Sequence, residues 1–333
     1  MPARKGRQEY LAVKTEATRL TAETTSFTRF VPFTSFESKN EITYDVDESA
    51  FANRGALLDK QIVSKYGVWS AAGKLDVDVV DFFLHHAIGS SSPTTADGAT
   101  TRVYTLLQSL QLPTFTTQFT RGDEGAKRLR GCSPATLEIN FTQEDSTYTV
   151  AGHAIEEEGG NSVTAAYTKP TRKLLGKNLN VYHAATLAGL GTIASPDGTA
   201  FNVRTAKLAL NNGVDATKHF ELGALTPTDI PADGYKLTLE MELIHMTTNS
   251  SVVFQTNYEA GTPMAFRLDA VGTNLPNIGS SSLKPRLTVD LPPSRITVGN
   301  AIPLDDLITQ TVSVEIEMAN LAVYTTVNAL GTV

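Results

Sequence analysis

The chain has 333 residues, enough for two domains of ordinary size, and 41% of them are apolar, enough to give each a core. A formal net charge of −7 argues against a general nucleic-acid binder, which needs clustered Lys and Arg to displace counterions from phosphates. A single cysteine, Cys132, excludes an intrachain disulfide and a cysteine-based zinc cluster, and fits a reducing compartment.

The first residues carry Arg4, Lys5, Arg7, Lys14 and Arg19 without the apolar core of a secretory signal. No stretch reaches the roughly 18 apolar residues of a membrane span, so the expected site of assembly is the cytoplasm of the producing cell. Phe27, Phe30, Phe33 and Phe36 recur at spacing three; in a strand-rich segment this reads as a core and interface run rather than a stacking platform for bases. Residues 47–67 mix Phe51, Leu57, Leu58, Ile62 and Val63 with Arg54, Asp59, Lys60 and Lys65, the composition of a structured loop that docks onto something.

KLDVDV follows, with Leu75, Val77 and Val79 alternating against Asp76 and Asp78. Period-2 alternation predicts a strand with one buried and one wet face. DFFLHHAI then predicts a short helix stopped by Gly89. The same order returns in the second half. KLTLEMEL alternates Leu237, Leu239, Met241 and Leu243 with Thr238, Glu240 and Glu242, and is followed by a stretch that Ser250 or Ser251 can cap and Gly261 can stop. TVSVEIEMA sets Val312, Val314, Ile316 and Met318 against Ser313, Glu315 and Glu317. Three strands with an acidic wet face predict one shared acidic surface.

Other landmarks repeat in order. RFVPFTSFESKN (29–40) resembles RTAKLALNNG (204–213), RLRGCSP (128–134) resembles RITVGNAIP (295–303), and TYTVAGHAIE (147–156) resembles TQTVSVEIEM (309–318). Thr, Val and frequent turn residues without long helical periodicity indicate a mainly β protein. The expected organisation is two tandem β-sandwich or barrel domains, 1–170 and 171–333, each with a short helix lying on its sheets.

Little points to chemistry. His85 and His86 are neighbours, about 100° apart on a helix, whereas the helical zinc motif needs i and i+4; both read as last-turn residues favoured by the helix dipole. The pairs Asp76/Asp78, Glu240/Glu242 and Glu315/Glu317 are near-equivalent repeats rather than the asymmetric constellation of a glycosidase. No GxSxG, P-loop, dinucleotide fingerprint or HExxH occurs. The expectation is a non-enzyme with no metal and no cofactor.

The segment TSFTRFVPFTSFESKNEITYDVDESAFANRGALLDKQIVSKYGVWSAAGKLDVDV, with Gly67, Gly73 and Leu75, and later LPTFTTQFTRGDEGAKRLRGCSPATLEINF, resembles the tail tube proteins of long-tailed bacteriophages. FNVRTAKLALNNGV through ITVGNAIPLDDLITQTVSVEIEMA resembles a second copy of the same domain. The resemblance implies a virion protein whose rings stack into a hollow conduit for genome ejection. Strands from each domain would join a continuous inner barrel, with the helix outside. Three two-domain chains would equal a six-domain ring, so a trimer is favoured over a hexamer. Asp76, Asp78, Glu240, Glu242, Glu315 and Glu317 would line the lumen and repel passing double-stranded DNA. Arg54, Asp59, Lys60 and Lys65 would meet the next ring, with the basic N-terminal arm a second candidate. Tail-tip or baseplate, tape-measure and terminator proteins are the implied partners. Two other readings stay open: a terminator, baseplate ring or decoration protein, and a carbohydrate-binding module or hydrolase using one carboxylate pair.

Overall fold

The computed structural model describes all residues except 1–9, 48–58, 108, 121–124, 162, 165–172, 194–195, 202, 245–255, 279–281, 299–300, 305–306, 318, 320–321 and 329–333. In chain order the strands are β1 (Leu11–Thr15), β2 (Arg29–Phe30), β3 (Ser35–Asp47) and β4 (Asp59–Lys74), then helix α1 (Val77–Ile88). After it come β5 (Gly89–Ala96), β6 (Ala99–Leu106), β7 (Phe115–Thr120), β8 (Ala126–Phe141), β9 (Ser146–Ala154) and β10 (Glu156–Gly159). The second half contributes β11 (Leu179–Ala184), β12 (Thr199–Phe201), β13 (Val203–Asn211), β14 (Lys236–Ile244), β15 (Met264–Val271) and β16 (Arg286–Ser294). The last four are β17 (Ile296–Val298), β18 (Ala301–Leu304), β19 (Leu307–Glu315) and β20 (Val323–Asn328).

These strands make a mainly β protein of two antiparallel sheets. The larger sheet runs β3, β4, β9, β8, β13, β14, β19, with β17 and β18 in succession along the far side of β19. β8 is long enough to serve twice: Ser133 to Phe141 pair with β9, while Ala126 to Cys132 pair with β7, which leads on to β1 and β2. The smaller sheet runs β12, β11, β15, β16, β20, β6, β5. Strands from the two sides of residue 170 are therefore neighbours in both sheets, at β8–β13 and at β6–β20. One apolar core, from Leu11 through Phe83, Leu137 and Leu239 to Tyr324, spans both halves. The predicted boundary itself lies outside the described residues.

The alternation of KLTLEMEL and of TVSVEIEMA as far as Glu317 is present as read, and Met318 lies outside the described residues. Leu237, Leu239, Met241, Leu243, Val312, Val314 and Ile316 are buried, and each such side chain contributes about 1.5–3 kcal/mol through loss of apolar surface from water. KLDVDV is different and corrects the sequence reading. β4 ends at Lys74, and Asp76 is the N-cap of α1, its carboxylate accepting the Asp78 N–H at 2.9 Å. A capping aspartate satisfies an otherwise orphaned helical donor, and here that local bond prevails over the period-2 pattern. Val77 and Val79 are core residues of a helix, and Asp76 and Asp78 share no sheet face with the glutamates of β14 and β19.

Gly89 ends α1 as foreseen, at φ 87°, where a Cβ would strike Leu112 and Leu107. In the second half residues 256–260 are helical and Gly261 follows at φ 63°. Ser250 and Ser251 lie outside the described residues.

α1 does not lie on a face. It packs against β8 of the larger sheet and β5, β6 and β20 of the smaller, so nearly all its side chains are buried. Enclosure brings Asp81 to 0% and Arg102 to 1% exposure, joined at 2.5 Å. The Tyr104 hydroxyl donates to the same carboxylate at 2.7 Å, and the Thr326 hydroxyl of β20 also donates to it. Arg29 lies over the Phe82 ring at 5.0 Å, its guanidinium shifted down by burial despite Asp81. Helix, first-half strand and last strand thus meet on one buried carboxylate.

Candidate assembly interface

The larger sheet repeats one four-strand unit. In the first half a hairpin (β3–β4) is followed in space by β9 and then β8; in the second, a hairpin (β13–β14) is followed by β19 and then β17 with β18. Each hairpin is followed in the chain by a helical segment and a hairpin of the smaller sheet, β5–β6 or β15–β16. Even the irregularity recurs. Pro134 faces Gly152 and Thr136 faces Ala151 across a bulge in the first unit; Ile296 faces Val314 and Val298 faces Ser313 across a bulge in the second. Bulges are specific local features, so matched placement identifies the units as equivalent. The predicted match of 147–156 with 309–318 agrees with this register. That of 29–40 with 204–213 is offset by a few residues, since the pairing makes Ala206 the counterpart of Phe36.

Among the described residues both ends of this sheet are open edges. Among the described strands, β3 pairs only with β4, and β17 and β18 only with β19. β3 is 13 residues long, and a long unpaired strand is a template for another chain. Phe36, Glu37, Ser38 and Lys39 line a surface depression there, floored by Val68, Trp69 and Ser70.

Directly opposed residues in a sheet point to one face, so the ladders define the wet surface. One row reads Lys74, Thr147, Asn140, Lys207, Glu240, Ser313; the next reads Ala72, Thr149, Glu138, Ala209, Thr238, Glu315. Glu240, Glu242 and Glu315 do share this face, as the alternation indicated, but the face is not simply acidic. Lys207 pairs with Glu138 at 3.2 Å across the β8–β13 junction, Arg204 with Glu242 at 3.2 Å, Lys236 with Glu315 at 2.8 Å, and Lys74 with Asp145. Glu317 lies past the end of β19 and pairs with Arg295 at 3.1 Å. Partly exposed pairs of this kind each contribute about 0–1 kcal/mol, so their effect is to cancel charge rather than to hold the fold. The cancelling residues were visible in the sequence, as Lys207 in TAKLAL and Glu138 in TLEINF occupy wet positions of their own alternations.

Of the segment read as a loop over 47–67, residues 48–58 lie outside the described residues, and the rest is strand, Asp47 in β3 and 59–67 in β4. β4 leaves β9 at Gly67, and beyond it residues 41–47 and 59–66 form a two-stranded arm. Ile42, Tyr44, Ile62 and Val63 are exposed on it. Lys65 is engaged inside the chain, with Glu156 at 3.4 Å and its N–H donating to the Leu225 carbonyl. Asp59 and Lys60 occupy β4 opposite Asp47 and Val46, and Arg54 lies outside the described residues. Arg4, Lys5 and Arg7 lie outside them too; Lys14 and Arg19 pair with Glu23 and Asp229.

Among the described residues no group of three or more His, Cys, Asp or Glu could hold a metal, and no helix is long and apolar enough to cross a membrane. His86 is buried with Nδ1 2.8 Å from the Phe82 carbonyl and Nε2 3.2 Å from Thr15 Oγ1, and burial holds its pKa well below the usual imidazole range. Cys132 is buried against Thr117 and the Leu129 carbonyl, and burial pushes its thiol far up, which leaves it unreactive. Phe27 is buried, and Phe33 and Phe36 pack against the main core, Phe36 at 4.9 Å centroid distance from Phe119. Neither protein-family models nor curated proteins gave a match to this chain.

Proposed function

We propose that this chain is a ring-forming structural subunit of a bacteriophage tail tube, with two tandem tube-like units per chain, its rings stacking into a conduit for DNA. The observation that carries the reading is the larger sheet: one unit twice over in the same order, open at both edges. A sheet with such edges is relieved by pairing copy to copy, and a heterologous contact that closes makes a ring. Three copies supply six units. A barrel of that many strands is far wider than the roughly 16–18 strands that already leave an aqueous channel.

On this reading the wet face lines the channel, and its ion pairs give the wall little net charge. Such a wall presents no cluster of free cations to phosphates and lets a duplex slide. The two-stranded arm, with its exposed Ile42, Tyr44, Ile62 and Val63, makes the contact between rings. An isolated hairpin is marginal in water, and burial against the next ring supplies what it lacks.

Negative-stain electron microscopy of the purified protein, with mass measurement of the released particles, tests this. Hollow rods built from three-chain rings are expected. Single rings that never stack would make the protein a terminator or baseplate ring. A stable monomer at all concentrations would overturn the proposal.

A further inference from the structure

The junction between β8 and β13 joins the first unit to the second inside one chain. We infer that the contact between copies is a repetition of this junction, with β3 of one copy antiparallel to β18 and β17 of the next. The inference rests on the ring reading and deepens it, since it names the partner surface and its register.

The register follows from pairings already in the fold. The repeated bulge makes Ala151 the counterpart of Ser313. Ala151 faces Ser70 and Ser313 faces Glu240, so Ser70 corresponds to Glu240. Ser70 faces Glu37 and Glu240 faces Lys207, so Glu37 corresponds to Lys207. On the other side of the junction, Lys207 faces Asn140, and Asn140 faces Thr147. The counterpart of Thr147 is Thr309, which faces Ile302. Glu37 of one copy therefore stands opposite Ile302 of the next, with Ser38 opposite Ala301 and Phe36 opposite Pro303.

Three features of the β3 edge fit an incoming strand. The edge, at 13 residues, is long enough to take β18 and β17, of four and three residues, in succession, and it has no bulge over Ser35 to Thr43. Ser38 and Asn40 are held from the inner side by Glu157 of β10, which pre-orders the strand. The depression over Val68 and Trp69 lies alongside the edge, where a neighbouring strand would cover it.

The test is a pair of double-cysteine variants in the full chain, Glu37→Cys with Ile302→Cys and Glu37→Cys with Leu304→Cys, oxidised with diamide and sized under denaturing conditions. Cys132 is buried and does not compete. Directly opposed strand residues lie about 4.5–5.5 Å apart between Cα atoms, within disulfide reach, whereas a partner two positions along is about 7–8 Å away and out of reach. The expected result is covalent dimers and closed trimers from the first variant and at least tenfold less from the second, with the wild type remaining monomeric on the same gel. Rings seen by native mass measurement without the Glu37/Ile302 cross-link, or with more cross-linking at Leu304, overturn this seam and leave the ring reading standing. A protein that is monomeric by native mass overturns both.

Discussion

At the residue scale the chain's most consequential side chain is one that no sequence pattern announces. Asp81 is an acid inside an apolar helix, and only the closure of both sheets around α1 brings it to Arg102, Tyr104 and Thr326. Replacing it with Asn keeps the shape and removes the Asp81 charge from the buried Arg102. That substitution is expected to cost about 3–5 kcal/mol in urea unfolding, and a loss under about 1 kcal/mol would mean the network does not anchor the fold. The buried and half-buried histidines set a second expectation. His86 above all, and His85, His153 and His183, have pKa values lowered by burial, so below the usual imidazole range the unfolded chain binds protons that the fold refuses. Stability should fall as pH drops from 7 towards 5. Glu16, raised by burial, works the other way: its contribution is full below about pH 4.5, the unfolded value, and is lost as pH rises above it. Urea unfolding at pH 7 and pH 5 measures the balance, and His86→Gln should flatten it. A slope unchanged by that variant would remove His86 from the account.

At the element scale, what was legible in the sequence was whatever depends on periodicity. β14 and β19 follow from their alternation, and the helix stop at Gly89 follows from its place after an apolar run. What was not legible depends on partners distant in the chain. Nothing local distinguishes Asp76 as a cap from Glu240 as a wet strand residue until α1 is seen wedged between sheets, and nothing in TLEINF and TAKLAL says that Glu138 and Lys207 meet. The two units also solve one packing problem differently. Trp69 and Gly152 in the first stand where Leu239 and Val314 stand in the second, a large and small residue traded for two of medium size. A Cβ on Gly152 would meet the Ser133 carbonyl oxygen at 2.1 Å and the Trp69 ring at 2.9 Å. Gly152→Ala should therefore cost about 1–3 kcal/mol, and adding Trp69→Leu should not restore it, because the closer obstacle is backbone. Thermal melts of the two variants decide this; full recovery in the double variant would show that the ring, not the bulge, is the constraint. By contrast Glu138→Gln on the wet face should shift stability by less than about 1 kcal/mol.

At the scale of the whole molecule, two tandem units do not imply two independent folding bodies. The β8–β13 and β6–β20 pairings and the common core tie the halves together. Calorimetry should record a single transition for the described fold, and two well-separated transitions would contradict the shared core. β20 carries one consequence beyond stability. It is the last described strand in the chain, yet it sits between β16 and β6, beside a hairpin made long before it. At the usual pace of synthesis, about 5–20 residues per second, β6 waits roughly ten to forty seconds for the strand that closes its sheet and for the hydroxyl that completes the Asp81 cluster. Until then a nascent chain holds an unfinished body behind its open β3 edge. Tying the completion of the smaller sheet to a strand made so late is a clock: it holds back the finished body until more than two hundred further residues have followed β6, roughly the span from Leu106 to Val323.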